Sequence, residues 1–414
     1  MKTTKKTPPK NKAETCAADR LFLTDDALRG VLRRTGMPVM LYDEKGLREI
    51  AKSLSHVSVF SAPDISVSDC PFPEILRVLC EEGLHVVCRS PKELRIALDC
   101  GFPGDRIRYA GVCVLPELGS ILRGLGAELW IGSPIAIPER LPERVELLCA
   151  LPPRASFQLQ AASHRHRAGL TAEEATVIAS MAKRRGVREL VLAACPDGNR
   201  TSAGTLAFKA SQLIALAEKI RQESGAELGG IHLGSGLGLE YNRFKEPVDE
   251  AAELEALQKA LAAAPRAYRV SCSVSRRLLE PHAVFVAACL GAYERERATL
   301  VIDASFRQLA IPQLDRYRHI SVLGRSGVSG RRATDVVGTD LLAKDWFAEA
   351  RLLPPAEEGD ALILHDVGCC ASGMTECCLC CADGTLLRLS RDPDCSGAFP
   401  GAPSDPFPSS NASG

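Results

Sequence analysis

Net charge is the first thing this chain lacks: 51 Lys and Arg balance 51 Asp and Glu. Without a global basic field it has no means of drawing a polyanion, which excludes nucleic acid as a partner class. Long apolar runs are missing as well. The best candidate, Ala283 to Leu290, falls well short of the roughly 18 residues that a transmembrane helix needs, so membrane insertion is excluded. The opening segment carries Lys2, Lys5, Lys6, Lys10 and Lys12 among prolines, and no apolar h-region follows. It is expected to be a flexible tail and not a secretory signal, which places the protein in the cytoplasm.

Cysteine is abundant, at 17 residues, but the count is odd and no export signal accompanies it. Reduced thiols are therefore expected, not a disulfide framework. Cys369, Cys370, Cys377, Cys378, Cys380 and Cys381 cluster near one end, and soft thiolates gather around zinc or iron–sulfur centres. Adjacent cysteines on a strand point to opposite faces, so they are read as small, semi-apolar residues packing in a strand hairpin, with no metal assigned.

With 46% hydrophobic residues among 414, the chain can bury two domains, or one large barrel with an appendage. From about residue 65 to 290, short β-rich runs alternate with amphipathic helical runs. Strands are expected at His85–Cys88, Arg106–Gly111, Leu129–Gly132, Val145–Leu151, Phe157–Gln160, Glu189–Cys195, Gly230–Gly234 and Tyr268–Val274. Helices are expected at Pro73–Glu82, Pro91–Cys100, Thr171–Arg185 and Ser202–Glu223. Eight such units in about 240 residues point to a (β/α)8 TIM barrel, with chemistry at the C-terminal ends of its strands. The flanks read differently. Residues 21–53 and 283–392 are expected to form a mainly β domain from both chain ends around a barrel at 54–282, with tails at 1–20 and 393–414.

Several segments in order resemble one family. Gly36-Met-Pro-Val-Met-Leu-Tyr-Asp43, the strand before Ile75, Glu93-Leu94, His232-Leu-Gly-Ser-Gly-Leu-Gly238, Glu280-Pro281, Asp303, and Gly359-Asp360 before Gly368 are similar to motifs of barrel-type (fold type III) pyridoxal-phosphate decarboxylases. These act on diaminopimelate, ornithine or arginine, and the diaminopimelate branch looks closest. The resemblance implies an alanine racemase-like barrel with a β domain, and a dimer with sites at its two-fold interface.

The resemblance also implies a damaged site. The family lysine that forms the internal aldimine falls on Ser68, reading back from Ile75-Leu76-Arg77 through Cys70 and Asp69. The ring-stacking histidine motif falls on Pro196, Asp197, Gly198 and Asn199. The phosphate loop survives as Gly234, Ser235 and Gly236, where small residues let backbone N–H groups approach an anion. The "EPGR" motif matches Glu280, Pro281, His282 and Ala283, keeping the pyridinium partner Glu280 and losing the phosphate arginine. A catalytic cysteine given across the dimer falls on Val336, two tyrosines on Cys370 and Cys378, and an arginine on Ile311. The expectation is a degenerate, non-catalytic homologue with no catalytic residues. Remnant cofactor contacts would be Gly234, Ser235, Gly236 and Glu280. No cofactor is expected beyond weak residual binding of pyridoxal phosphate, and the partner would be a second copy or an active decarboxylase paralogue. Two alternatives stand beside it: an active diaminopimelate-type decarboxylase with its lysine elsewhere, and a thiol or metal enzyme built around Cys70, Cys113, Cys370 and Cys378.

Overall fold

The computed structural model describes residues 21–57, 59–61, 63–111, 117–135, 137–151, 169–195, 203–236, 238–239, 249–309, 318–325, 327–340, 345–369 and 377–389. The expected strand at 157–160, both tails, Cys113, Pro196 to Asn199, Ile311 and Cys370 lie outside them. The chain divides into two compact units, one drawn from Met1–Tyr42 and Pro281–Cys378, the other from Asp43–Glu280 and Leu379–Gly414.

Helix α1 (Asp25–Thr35) starts where the Thr24 hydroxyl accepts the Ala27 N–H at 3.2 Å, a cap that satisfies one otherwise orphaned donor. It leads to strand β1 (Val39–Asp43). Helix α2 (Glu44–Ser55) belongs with the barrel unit, whereas the sequence division ended the first β segment at residue 53. The barrel then runs β2 (Asp64–Ser66), α3 (Pro73–Glu81), β3 (His85–Cys88), α4 (Pro91–Asp99), β4 (Ile107–Tyr109), α5 (Leu118–Leu125), β5 (Glu128–Ile131), β6 (Arg144–Cys149), α6 (Ala172–Arg184), β7 (Glu189–Ala194), α7 (Thr205–Ser224), β8 (Gly230–Ser235), α8 (Glu250–Ala262), β9 (Arg269–Ser273) and the short α9 (Ser275–Leu279).

Strands β2 to β9 close into a parallel barrel in chain order, with β9 returning to β2 through Ser273 and Asp64. Such strands are covered on both faces, which is why β3, β5, β7 and β8 are almost wholly buried and read as apolar runs instead of alternating ones. The first strand of the barrel is β2, only three residues long and too short to register as a periodic run. Helix starts follow ordinary capping. Thr171 and Glu174 form a reciprocal capping box, and Ser90 caps Pro91–Asp99 by accepting the Glu93 N–H at 3.2 Å. Helix α7 differs, since Gly204 precedes it and offers no side chain. The buried Glu253 carboxylate of α8 takes the Gly204 and Leu206 N–H groups in its place, so two neighbouring helices are locked by a charge-assisted cap.

The other unit is a sheet. Strand β10 (Ala283–Glu294) is central: its first half pairs antiparallel with β1, its second half with β11 (Ala298–Ile302). The pairing shifts between Cys289 and Gly291, a bulge that bends the strand. Strand β12 (Ile320–Val322) pairs with β15 (Ala361–His365), which pairs with β10, while β13 (Arg332–Val337) lies parallel to β11 and antiparallel to β14 (Trp346–Leu353). The Phe285 ring is fully buried near the start of β10, where that strand lies between β1 and β15. Phe285→Ala is expected to lower unfolding free energy by about 3–5 kcal/mol through lost burial and the cavity left behind, read from the denaturant midpoint of the whole chain.

Candidate active site

The barrel interior holds ionisable groups in place of an all-apolar filling. Asp64 on β2 is fully buried and accepts from Arg108 of β4 at 2.6 Å, from His232 Nε2 of β8 at 2.7 Å and from the Ser273 hydroxyl of β9 at 2.6 Å. His232 Nδ1 in turn accepts the Gly234 N–H at 3.1 Å, which places the ring proton on Nε2, facing Asp64. Burial opposes the charged form of Asp64, but attraction to His232 and Arg108 outweighs it and holds the carboxyl well below the usual carboxylate range. Arg108 Nε also lies 3.6 Å from Glu128 and 3.8 Å from Glu146. Burial, reinforced by the charge of Glu128, pushes Glu146 well above the ordinary value, which favours its protonated form.

Above this cluster the strand ends frame a cavity of about 200 Å³. Ser66 and Asp69 come from β2 and the 3-10 turn after it, Arg89 from the end of β3, Trp130 from β5, Ser235 and Gly236 from β8, and Ser273, Ser275, Arg276 and Arg277 from β9 and α9. Local geometry fixes two of these edges. Gly234 has φ of 68°, and a Cβ there would lie 2.6 Å from the Ala194 carbonyl oxygen, so the turn out of β8 requires glycine. The Ser66 N–H donates to Ser275 Oγ at 3.0 Å, joining the ends of β2 and β9.

Ser68 sits beside this cavity on the turn after β2. Its hydroxyl lies 2.8 Å from Ser66 Oγ and accepts from Arg89 Nη1 at 2.7 Å. No lysine lines the cavity among the described residues. Lys209 on α7, 5% exposed, donates from Nζ to the carbonyl of Ser235, a residue of the cavity wall, at 3.0 Å.

Other expected positions are placed as follows. Gly234, Ser235 and Gly236 form the β8 turn, and the last two line the cavity. Glu280 does not line it: it follows α9, is fully buried, and pairs with Arg276 at 3.3 Å. Strand β9 ends seven residues before Glu280, and Ser273, Val274, Ser275 and Arg276 at its exit line the cavity. Val336 is buried inside β13 opposite Leu300 and Ala348, a packing position. Cys377 and Cys378 are buried in a strand that leads to a turn closed by Cys381 and Thr385. Among the described residues no group of three or more His, Cys, Asp or Glu side chains is arranged to hold a metal ion. Burial pushes the thiols of Cys88 and Cys272 up and those of Cys100 and Cys149 to about 12, the opposite of what a nucleophilic thiolate needs.

Sequence reasoning missed Asp64, Arg108, Arg89, Trp130 and the Arg276-Arg277 pair. The usable signal was two arginines just past a strand end on the chemistry-bearing face of a barrel. For pyridoxal phosphate the fit is partial. Small residues, hydroxyls and Arg276 suit its phosphate, but among the described residues the wall offers its aldehyde hydroxyls and guanidinium groups and no amine.

Residues 283–368 match the family model described as "Pyridoxal-dependent decarboxylase, C-terminal sheet domain". The chain is 26% identical over 346 residues to Protein TabA of Pseudomonas amygdali pv. tabaci, covering 80% of each. It is 25% identical over 365 residues to the diaminopimelate decarboxylase of Methanothermobacter thermautotrophicus, covering 82% of this chain and 83% of that one. The crystal structure of diaminopimelate decarboxylase from M. jannaschii in co-complex with L-lysine superposes with a TM-score of 0.73 at 16% identity, covering 87% of this chain and 90% of that one.

The buried acids generate a pH dependence. Glu146 holds its proton to higher pH in the fold than in the unfolded chain, so its contribution to stability declines as pH rises above the ordinary carboxylate value. Glu146→Gln, which keeps the neutral shape, is expected to raise the melting midpoint, and by more at about pH 8 than at about pH 5. Asp64→Asn should do the reverse, costing about 3–5 kcal/mol near neutrality by leaving the Arg108 charge without its closest partner.

Proposed function

We propose, from the premise that this chain belongs to the pyridoxal-dependent decarboxylase family and is diaminopimelate decarboxylase-like, a non-catalytic role: a binding or regulatory protein, forming mixed dimers with an active decarboxylase paralogue or pairing with its own copy. The observation that carries it is Ser68. In this family a lysine amine captures the cofactor aldehyde, and here that position is a hydroxyl already bonded to Arg89. A hydroxyl forms no Schiff base, and a guanidinium stays protonated at any ordinary pH. The remaining walls favour retention of a small-molecule pocket over its collapse, because Ser66, Ser235, Ser275 and the arginines still surround about 200 Å³.

One observation favours a second reading, an active decarboxylase with a relocated amine. Lys209 is buried and touches Ser235, a residue of the cavity wall. The two readings separate cleanly. On the non-catalytic reading, incubation with pyridoxal phosphate leaves no internal-aldimine absorbance after dialysis, borohydride leaves no pyridoxyl adduct in the intact mass, and meso-diaminopimelate releases no carbon dioxide above background. An adduct mapped by peptide mass to Lys209, together with carbon dioxide release, establishes the second reading instead.

A further inference from the structure

The arginines of the cavity are not equivalent. Arg276 pairs with Glu280 at 3.3 Å and Arg277 with Glu250 at 2.6 Å, so each has a carboxylate of its own. Arg89 has none among the described residues: its guanidinium donates to the neutral Ser68 hydroxyl at 2.7 Å, and the nearby Glu93 carboxylate is engaged by the Arg89 backbone N–H at 2.8 Å. A guanidinium carries five donors in a planar fork, and one bond to Ser68 leaves most of them open. A second group on the wall is buried, whereas Arg89 is exposed to water. Trp130 is 4% exposed, yet its indole Nε1, a donor only, is buried without an acceptor among the described residues. Such orphaned donors are costly where water is excluded. The hydroxyl pair Ser66 and Ser68, 2.8 Å apart, adds hydrogens to the same region. Donors thus outnumber acceptors on this wall, where Asp69 is the only lining carboxylate among the described residues.

We infer that the cavity takes up a small oxyanion, a carboxylate or a phosphate monoester, without a covalent bond, and that Arg89 is the residue that recognises it. The planar fork suits two oxygens at once, and Ser68 fixes the guanidinium by accepting one of its N–H groups. Val87, Trp130 and Val274 supply apolar wall for the body of the ligand. This rests on the non-covalent reading of the pocket proposed above.

The test uses the full chain with Trp346→Phe, so that Trp130, the other of its 2 tryptophans, is the fluorescence reporter. Inorganic phosphate and succinate are titrated separately, and the arm that saturates identifies the head group. Saturable binding that weakens with added salt is expected. Arg89→Gln, an exposed position whose loss leaves the fold intact, should weaken it by about tenfold or more, and Ser68→Ala, which frees the guanidinium but keeps it, by about twofold to threefold. The inference is overturned if neither oxyanion saturates, or if Arg89→Gln binds within about twofold of the parent, which would assign the anion to the Ser235 and Arg276 wall. Neither probe carries an aldehyde, so a pyridoxyl adduct at Lys209 would defeat the non-covalent reading while leaving this result independently readable.

Discussion

The Asp64 carboxylate is the point on which the barrel turns. It takes a guanidinium from β4, an imidazole N–H from β8 and a hydroxyl from β9, so one acidic side chain joins four of the eight barrel strands. Moving such a charge from water into a protein interior costs several kcal/mol even after relaxation, and only a full set of donors offsets that. The consequence is directional. The ring, the fork and the hydroxyl must all point at one spot, and this fixes the register of strands that apolar packing alone would let slide. Asp64 lies two residues before Ser66 and four before Ser68, so the same anchoring sets where the mouth residues of β2 emerge.

The remaining charges are arranged around that anchor. Arg108 neutralises Asp64 directly and stands 3.6 and 3.8 Å from two further carboxyls, which could not both be ionised beside one cation in so dry a site. Burial and the neighbouring Glu128 charge raise Glu146, so the proton is favoured there. Trp130 packs edge-on against His232 with centroids 5.0 Å apart, and it also lines the cavity. The polar core and the mouth are therefore layers of one construction: β8 contributes His232 below and Ser235 above, β9 contributes Ser271 and Ser273 below and the strand exit with Arg276 above.

Barrel and sheet were legible from period because long apolar runs such as β6 and β7 report burial on both faces. Strand β2 was legible only through the spacing to Ile75, since three residues carry no period. Ser68 lies on the turn after that strand, five residues before α3 begins. The cavity wall at the exit of β9 was not legible, because it is set by where the backbone leaves the barrel, before a five-residue helix that the Glu-Pro string does not reveal. Asp64 and Arg108 were invisible for a different reason. Their partners are 44, 168 and 209 residues apart, and a charged residue at the edge of an apolar run reads as a boundary until the barrel closes and turns it inward.

The two surviving halves of the pocket carry unequal information about a ligand. The glycine turn after β8 would be needed with or without one, since a side chain at Gly234 would strike the Ala194 carbonyl and one at Gly236 would stand 3.0 Å from the Ser273 oxygen. Packing alone retains it. Arg276 and Arg277 are likewise accounted for by Glu280 and Glu250. Arg89 is not, because holding a long cationic side chain against one neutral hydroxyl loses rotamer freedom for a single hydrogen bond. Nor can it serve as a spare amine: its charge is delocalised over the fork and does not dissociate near neutrality, so it offers donors and no lone pair to a carbonyl. The chemistry that Arg89 and Ser68 offer is therefore recognition of oxygen anions, since a guanidinium and a hydroxyl attract an oxyanion without forming a bond to it.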